Sequence, residues 1–247
     1  MLNATTLSFV LKSTGNTIMP SLPQIDLYSD PHCPYAYLTA YRLRQLRDAW
    51  RGTVEIRHRS LALEYVNSQP TPKPILDSET PILMLEEPEI PYRPWDAPLS
   101  EWPVTMWPAF EAVKCAERQG LDLADDLDWA IRRAFFAESR CISMRHVLFE
   151  LAESVGVAMD RFEADFDGGV TKQQVIDDAR RGWEELEVDG SPTFVLPSGE
   201  QKSYLGLPKL KLDKEQHYRA VSREEAPCEG EACLDLLREM IDRVARM

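Results

Sequence analysis

Cys33 is the residue best placed to do chemistry in this chain of 247 residues. It lies in Ser29-Asp30-Pro31-His32-Cys33-Pro34-Tyr35-Ala36, between a strand-like and a helix-like run. Proline is tolerated in the first turn of a helix, so Pro34 puts Cys33 at the N-cap. There, unpaired backbone N–H groups and the helix dipole favour a thiolate over a thiol. Thiolate is the nucleophile, and such a position can bring a cysteine pKa of ~8.5 down to roughly 3.5–7.5. The competing reading is a cysteine buried as a small hydrophobe beneath the turn. His32 would stabilise a Cys33 thiolate if it pointed inward, but its place in the turn favours an exposed residue.

A second candidate is the pair in Cys228-Glu229-Gly230-Glu231-Ala232-Cys233. A disulfide can close across a turn of this length. Three readings stand open: a resolving pair that reaches Cys33, half of a metal site with His217 as a distant ligand, and two unconnected surface thiols. The ligand spacing is loose, so no metal is expected. Cys115, beside an apolar helical stripe, and Cys141, in a turn, read as structural or incidental. His58 lies between two arginines and reads as solvated, and His146 has no evident partner.

The elements that must position Cys33 follow from periodicity. Ile25-Asp26-Leu27-Tyr28 alternates as a strand, and Ala36, Ala40, Leu43, Leu46 and Trp50 make one helix face. Val54 to Leu61 alternates again, so strand, helix and strand form a right-handed crossover with a parallel pair. Residues 65–108 hold ten prolines with Trp95, Trp102 and Trp107, a composition that argues against long regular elements. The tryptophans line a groove or pack a proline-rich lid. Four helical stripes follow: Ala109, Ala112, Val113 and Ala116; Leu127, Ile131, Ala134 and Phe135; Leu148, Leu151, Ala152 and Val155, with Ser143 as N-cap; then Val175, Ile176, Ala179, Trp183 and Leu186. Thr193–Leu196 and Lys202–Leu205 flank the turn residues Pro197-Ser198-Gly199-Glu200 as a hairpin. Residues 207–227 read as charged and irregular, and Leu234, Leu237, Ile241 and Val244 mark a last helix.

Composition narrows the function. Net charge is −13, from 41 acidic and 28 basic residues, with no basic stretch, which argues against nucleic acid. No apolar run approaches the roughly 20 residues of a membrane span. Five cysteines are too few for a disulfide scaffold, and with no signal-peptide pattern at the N-terminus a cytoplasmic protein is expected.

Asp30-Pro31-His32-Cys33-Pro34-Tyr35-Ala36-Tyr37 is similar to the active-site segment of the DsbA family, particularly its FrnE-like cytoplasmic branch. Val188-Asp189-Gly190-Ser191-Pro192-Thr193-Phe194 resembles that family's cis-proline loop, and Met106–Gly120 and Ala152–Gly156 look like its helical domain. The resemblance covers roughly residues 24–206. It implies an α/β chain with a thioredoxin fold, βαβ…ββα, interrupted by an all-helical insertion domain. The divisions expected are a flexible extension over 1–23, a thioredoxin-like domain from 24–64 and 187–247, and a helical insertion over 65–186. It further implies Cys33 as nucleophile within the motif His32, Pro34, Tyr35 and Ala36, with Pro192 cis. Ser191, Pro192 and Thr193 would bind substrate.

One departure matters. The family's second cysteine is replaced by Ala36, and a methyl group cannot release a mixed disulfide. A thiol–disulfide oxidoreductase of reductase or isomerase type is therefore expected. It would act on protein or peptide thiols and disulfides or on glutathione as co-substrate, with no tightly bound cofactor. The sequence is compatible with a homodimer. The alternative enzyme is a glutathione-dependent transferase or isomerase, resembling kappa-class glutathione transferases and 2-hydroxychromene-2-carboxylate isomerases. A non-enzymatic alternative is a peptide-binding holdase gripping unfolded chains through the tryptophans.

Overall fold

The computed structural model describes residues 22–213, 215 and 219–247. Most of the expected N-terminal extension, and His217, lie outside these residues. β1 (Gln24–Ser29) turns directly into α1 (Pro34–Gln45), a short α2 (Arg47–Trp50) follows, and β2 (Glu55–Ser60) runs parallel to β1 from Gln24↔Glu55 to Ser29↔Ser60. After the helical excursion, β3 (Thr193–Val195) pairs antiparallel with β1, and β4 (Gln201–Ser203) pairs antiparallel with β3. The sheet order is β2-β1-β3-β4. β3 and β4 meet across Pro197–Glu200, where Gly199 supplies a φ of 85°.

Ile25 and Leu27 point to the same side of β1 and share a core with Ile56 and Phe194, with Leu43, Leu46 and Trp50. Leu234, Leu237, Ile241 and Val244 of the C-terminal helix close that core. Tyr28, of opposite parity, packs on the other side with Leu61 and Val188, as a period of two requires.

The excursion contains α3 (Leu63–Asn67), α4 (Lys73–Leu83), α5 (Trp107–Glu117), α6 (Leu121–Glu138), α7 (Arg145–Ser154), α8 (Met159–Asp167) and α9 (Lys172–Arg180), the last continued by a π turn over Arg181–Glu185. The apolar stripes of α5 and α6 are buried in one helical core. Ile176 of the expected fourth stripe is instead exposed, while its neighbours Val175 and Ala179 are buried. α7 begins after Met144, and Ser143 donates to the Thr105 carbonyl (2.5 Å) rather than capping the helix.

Two expectations of irregular chain are corrected. The proline-rich segment holds α4, eleven residues long, with Pro74 in the first turn and Pro81 near the end. Pro74 occupies a place where its missing N–H has no helical partner, and Pro81 removes one bond shortly before the helix stops. Residues 207–227 contain β5 (Leu210–Asp213) and β6 (Arg219–Arg223), an antiparallel pair with a register shift between Lys211 and Leu212. Leu210-Lys211-Leu212-Asp213 does alternate, but over only two apolar residues. α10 (Glu231–Ala245) completes the chain.

Candidate active site

The turn between β1 and α1 is built by its own backbone. Cys33 occupies the N-cap with an extended backbone (φ −89°, ψ 120°), Pro34 opens the helix, and Tyr37 N–H donates to the Cys33 carbonyl at 3.0 Å. The Ser191–Pro192 peptide bond is cis. That loop meets the turn twice: Cys33 Sγ–H donates to the Ser191 carbonyl (3.2 Å), and the Asp30 N–H donates to Ser191 Oγ (2.9 Å). Thr193 Oγ1 donates to the Gly190 carbonyl at 2.7 Å and holds the loop's return into β3. Ala36 lies in the first turn of α1, and its N–H faces the Cys33 sulfur.

Electrostatics overturn the expectation of a lowered thiol pKa. Cys33 is only 6% exposed, and burial pushes its thiol up to about 11. The hydrogen bonds with Ser191 and the Ala36 N–H act downward, while the Asp30 and Glu79 charges act upward. The helix terminus favours the anion, but loss of solvent outweighs it. In this arrangement Cys33 is a protonated donor to Ser191.

His32 is buried, not exposed. Its ring lies edge-on to Phe135 (4.4 Å between centroids) and beside Trp102 (5.4 Å), and burial pushes its pKa down to about 3. A neutral imidazole cannot stabilise the thiolate by charge. Asp30 anchors the turn beneath, accepting from the N–H groups of His32 (2.8 Å) and Leu63 (2.9 Å), and burial raises its carboxyl to about 6.

Arg132, which the sequence reading passed over, ties the helical insertion to the turn. It is 1% exposed, forks onto Asp128 (2.7 and 2.9 Å) and donates to the Asp30 carbonyl and to Ser29 Oγ (2.8 Å each). Its (i, i+4) spacing from Asp128 on α6 was the available signal. His58 is likewise buried rather than solvated. Burial alone would lower its pKa, but Asp128 and Asp125, the latter 3.1 Å from Nε2, hold it above the ordinary value.

Beside Cys33 a cavity of about 310 Å³ is lined by Tyr35, Glu79, Tyr204, Lys209 and Leu210. Tyr35 and Tyr204 meet edge to face at 5.4 Å, and Tyr35 Oη accepts from the Leu210 N–H (3.2 Å), which makes the β5–β6 hairpin one wall. Burial raises the Glu79 carboxyl to about 7. The tryptophans lie elsewhere: Trp95 and Trp102 pack around Phe135, and Trp107 lies against Phe110.

Cys228 and Cys233 are joined by a disulfide at the start of α10. Cys228 Sγ lies 3.3 Å from the Gly206 carbonyl, which accepts from Arg42 Nη1 at 2.8 Å, so the pair sits along α1 and is not brought to Cys33. Cys115 is buried with Sγ 3.6 Å from Thr171 Oγ1, and Cys141 is a half-buried free thiol. Among the described residues, no three His, Cys, Asp or Glu side chains group as a metal site would need.

A cysteine at a helix N-terminus, facing a cis-proline loop on a βαβ–ββα sheet, defines a thioredoxin-fold thiol protein. The DSBA-like thioredoxin domain model matches residues 24–215, and the chain belongs to that family. Its fold is also that of the cytosolic disulfide reductase DsbM from Pseudomonas aeruginosa (TM-score 0.62, 19% identity, 89% of this chain and 99% of that one). The same reductase with GSH matches at TM-score 0.61 and 20% identity, over 91% and 100% of the two chains. A 2-hydroxychromene-2-carboxylate isomerase matches at TM-score 0.55 and 14% identity, over 90% and 96%. No described helix is long and apolar enough to cross a membrane.

Proposed function

We propose that this protein is a cytoplasmic thiol–disulfide oxidoreductase of reductase or isomerase type, with Cys33 as its single active-site nucleophile. The observation that carries this reading is the pairing of Cys33 with the Ser191 carbonyl across the cis-proline loop, with Ala36 where a second thiol would resolve the adduct. Cys33 loses its proton, freeing the Ser191 carbonyl for a bound peptide. The thiolate then attacks a disulfide R–S–S–R, forming Cys33–S–S–R and releasing RS⁻. A glutathione thiolate attacks the mixed disulfide, releasing R–S–S–G and restoring the Cys33 thiolate. In isomerisation the substrate's own second thiol performs that step. Ser191, Pro192 and Thr193 position substrate in this reading, and the helical insertion over 65–186 shapes the approach.

The test is intact-mass analysis after exposure to oxidised glutathione, with peptide mapping. A glutathione adduct on Cys33, removed by added thiol and absent in Cys33→Ser, supports the reading. No adduct on Cys33 in the folded protein overturns it. The alternative, a glutathione-dependent transferase or isomerase, is favoured by the missing second thiol at Ala36. It predicts glutathione conjugation to an electrophile without a Cys33 adduct.

A further inference from the structure

Glu79 has no evident structural work to do. It projects from α4 into the cavity beside Cys33, and among the described residues its carboxylate makes no hydrogen bond or ion pair. The groups around it are the phenols of Tyr35 and Tyr204, the thiol of Cys33, the backbone of β5 at Leu210, and Lys209 at the exposed rim. Some other half-buried acids are engaged. Glu64, for example, accepts from Thr105 Oγ1 (3.0 Å) and from the N–H groups of Met106 (2.6 Å) and Trp107 (3.1 Å) at the start of α5. Glu79 is half-buried, and its carboxylate, without a protein donor, is open to one that a ligand supplies.

Its charge also works against the reaction of the empty site, since Glu79 and Asp30 both disfavour the Cys33 thiolate. A cation arriving at Glu79 removes that repulsion. The cavity, at about 310 Å³, is in the small-molecule range of roughly 300–1,000 Å³. It presents an acid inside, two tyrosine rings as walls and a lysine at the rim.

We infer that Glu79 is the specificity-determining residue of this cavity, holding the free ammonium group of a small zwitterionic disulfide, one sulfur of which the Cys33 thiolate attacks to form the Cys33 mixed disulfide while the other half leaves as a thiolate. The inference rests on Cys33 being the nucleophile, as proposed above. An ammonium on Glu79 forms charge-assisted hydrogen bonds, and Lys209 is placed to meet a carboxylate at the other end of the same molecule. Binding then supplies the positive charge that Cys33 lacks in the free protein, so recognition and activation of the thiol are one event.

The experiment compares two disulfides that differ only in this group: oxidised glutathione, and oxidised glutathione with both amines acetylated. The readout is the rate of adduct formation on Cys33 by mass spectrometry, in the full chain and in Glu79→Gln and Glu79→Asp. The wild-type protein should prefer the free amine by about ten- to hundredfold, the scale of a hydrogen bond to a charged group. In Glu79→Gln the preference should collapse to about twofold or less. The rate with the acetylated disulfide should rise, because a negative charge beside the thiolate has gone. Glu79→Asp should retain part of the preference and controls for loss of the amide-for-acid fold. Equal wild-type rates with the two disulfides, or a preference that survives in Glu79→Gln, overturn this inference and leave Cys33 as nucleophile. No Cys33 adduct with either disulfide overturns both.

Discussion

Arg132→Met is expected to be among the most damaging single substitutions outside the apolar core. Arg132 is 1% exposed, its partner Asp128 is also buried, and the guanidinium makes four hydrogen bonds at 2.7–2.9 Å. Removing the arginine leaves the Asp128 carboxylate buried with the His58 ring, whose Nδ1 is 3.5 Å away, as its one ion-pair partner among the described residues and the Arg44 charge at longer range. Breaking a buried pair from one side costs about 3–5 kcal/mol. For a chain of this size that is a fall in melting temperature of roughly 6–20 °C, at about 2–4 °C per kcal/mol. Urea unfolding followed by circular dichroism measures it. Removing both partners should be less harmful than the two single changes together, so a cycle with Asp128→Leu should show a coupling of about 0.5–3 kcal/mol. Because Arg132 also holds the Asp30 carbonyl that accepts the Cys33 N–H, alkylation of Cys33 should quicken in Arg132→Met beyond what global unfolding explains. A single-variant loss under about 1 kcal/mol, or strict additivity in the cycle, would refute the assignment of Arg132 as the buried tie between insertion and active-site turn.

Alkylation of native Cys33 at pH 7 should run about 300-fold slower than that of a free thiol and climb through pH 9–10, since burial holds the thiol at about 11 rather than ~8.5. A plateau below pH 7 would contradict this. Ala36→Cys should increase oxidation of a reduced test peptide by supplying a resolving thiol one helical turn from Cys33; no gain in a folded variant counts against a dithiol-like geometry. Burial raises the Asp30 carboxyl to about 6, so the native state binds more protons than the unfolded one between about pH 4 and 6. Its contribution to stability therefore grows by about 3 kcal/mol as pH falls through 6 and levels off below about 4. Asp30→Asn should lack that slope, and parallel pH–stability curves for the two proteins would sink the assignment. Gly182→Ala should destabilise by about 1–3 kcal/mol, read in the same urea titration, because an added Cβ would lie 2.6 Å from Leu61 Cδ1 and 2.9 Å from Tyr28 Cδ1. An unchanged midpoint would show that this packing can relax.

The parallel β1–β2 pair was legible because both strands carry their period in apolar residues, whereas β4 is Gln201-Lys202-Ser203, with none, and the order β2-β1-β3-β4 is read from the structure. Ile25 and Leu27 on one side, with Tyr28 on the other, leave one register that buries all three. The same rule explains what was hidden. α8 has a single fully buried residue, Phe162, and β5 has two half-buried leucines. Elements that dock at an edge rather than fill a core leave little periodicity to read. α4 was obscured differently: its prolines are common in loops, and only their positions, first turn and near the end, make them tolerable.

At the site, the backbone logic of Cys33 was readable and its electrostatics were not. The N-cap follows from local sequence, whereas the thiol pKa depends on how completely the fold buries the sulfur, with the cis-proline loop in direct contact through Ser191. No residue near Cys33 in the chain reports that burial. His32 and His58 fail in the same way, since a polar residue in a turn or between arginines reads as solvated until a distant helix covers it. α6 supplies the cover for both, through Phe135 against one ring and Asp125 with Asp128 against the other. The thioredoxin-like sheet places the thiol, and burial raises its pKa, with Asp30 of the turn and Glu79 of α4 acting in the same direction. Exchanging Cys33 chemistry between relatives of this fold therefore requires changing what buries the sulfur, and Glu79 of α4, not only the two positions around the cysteine.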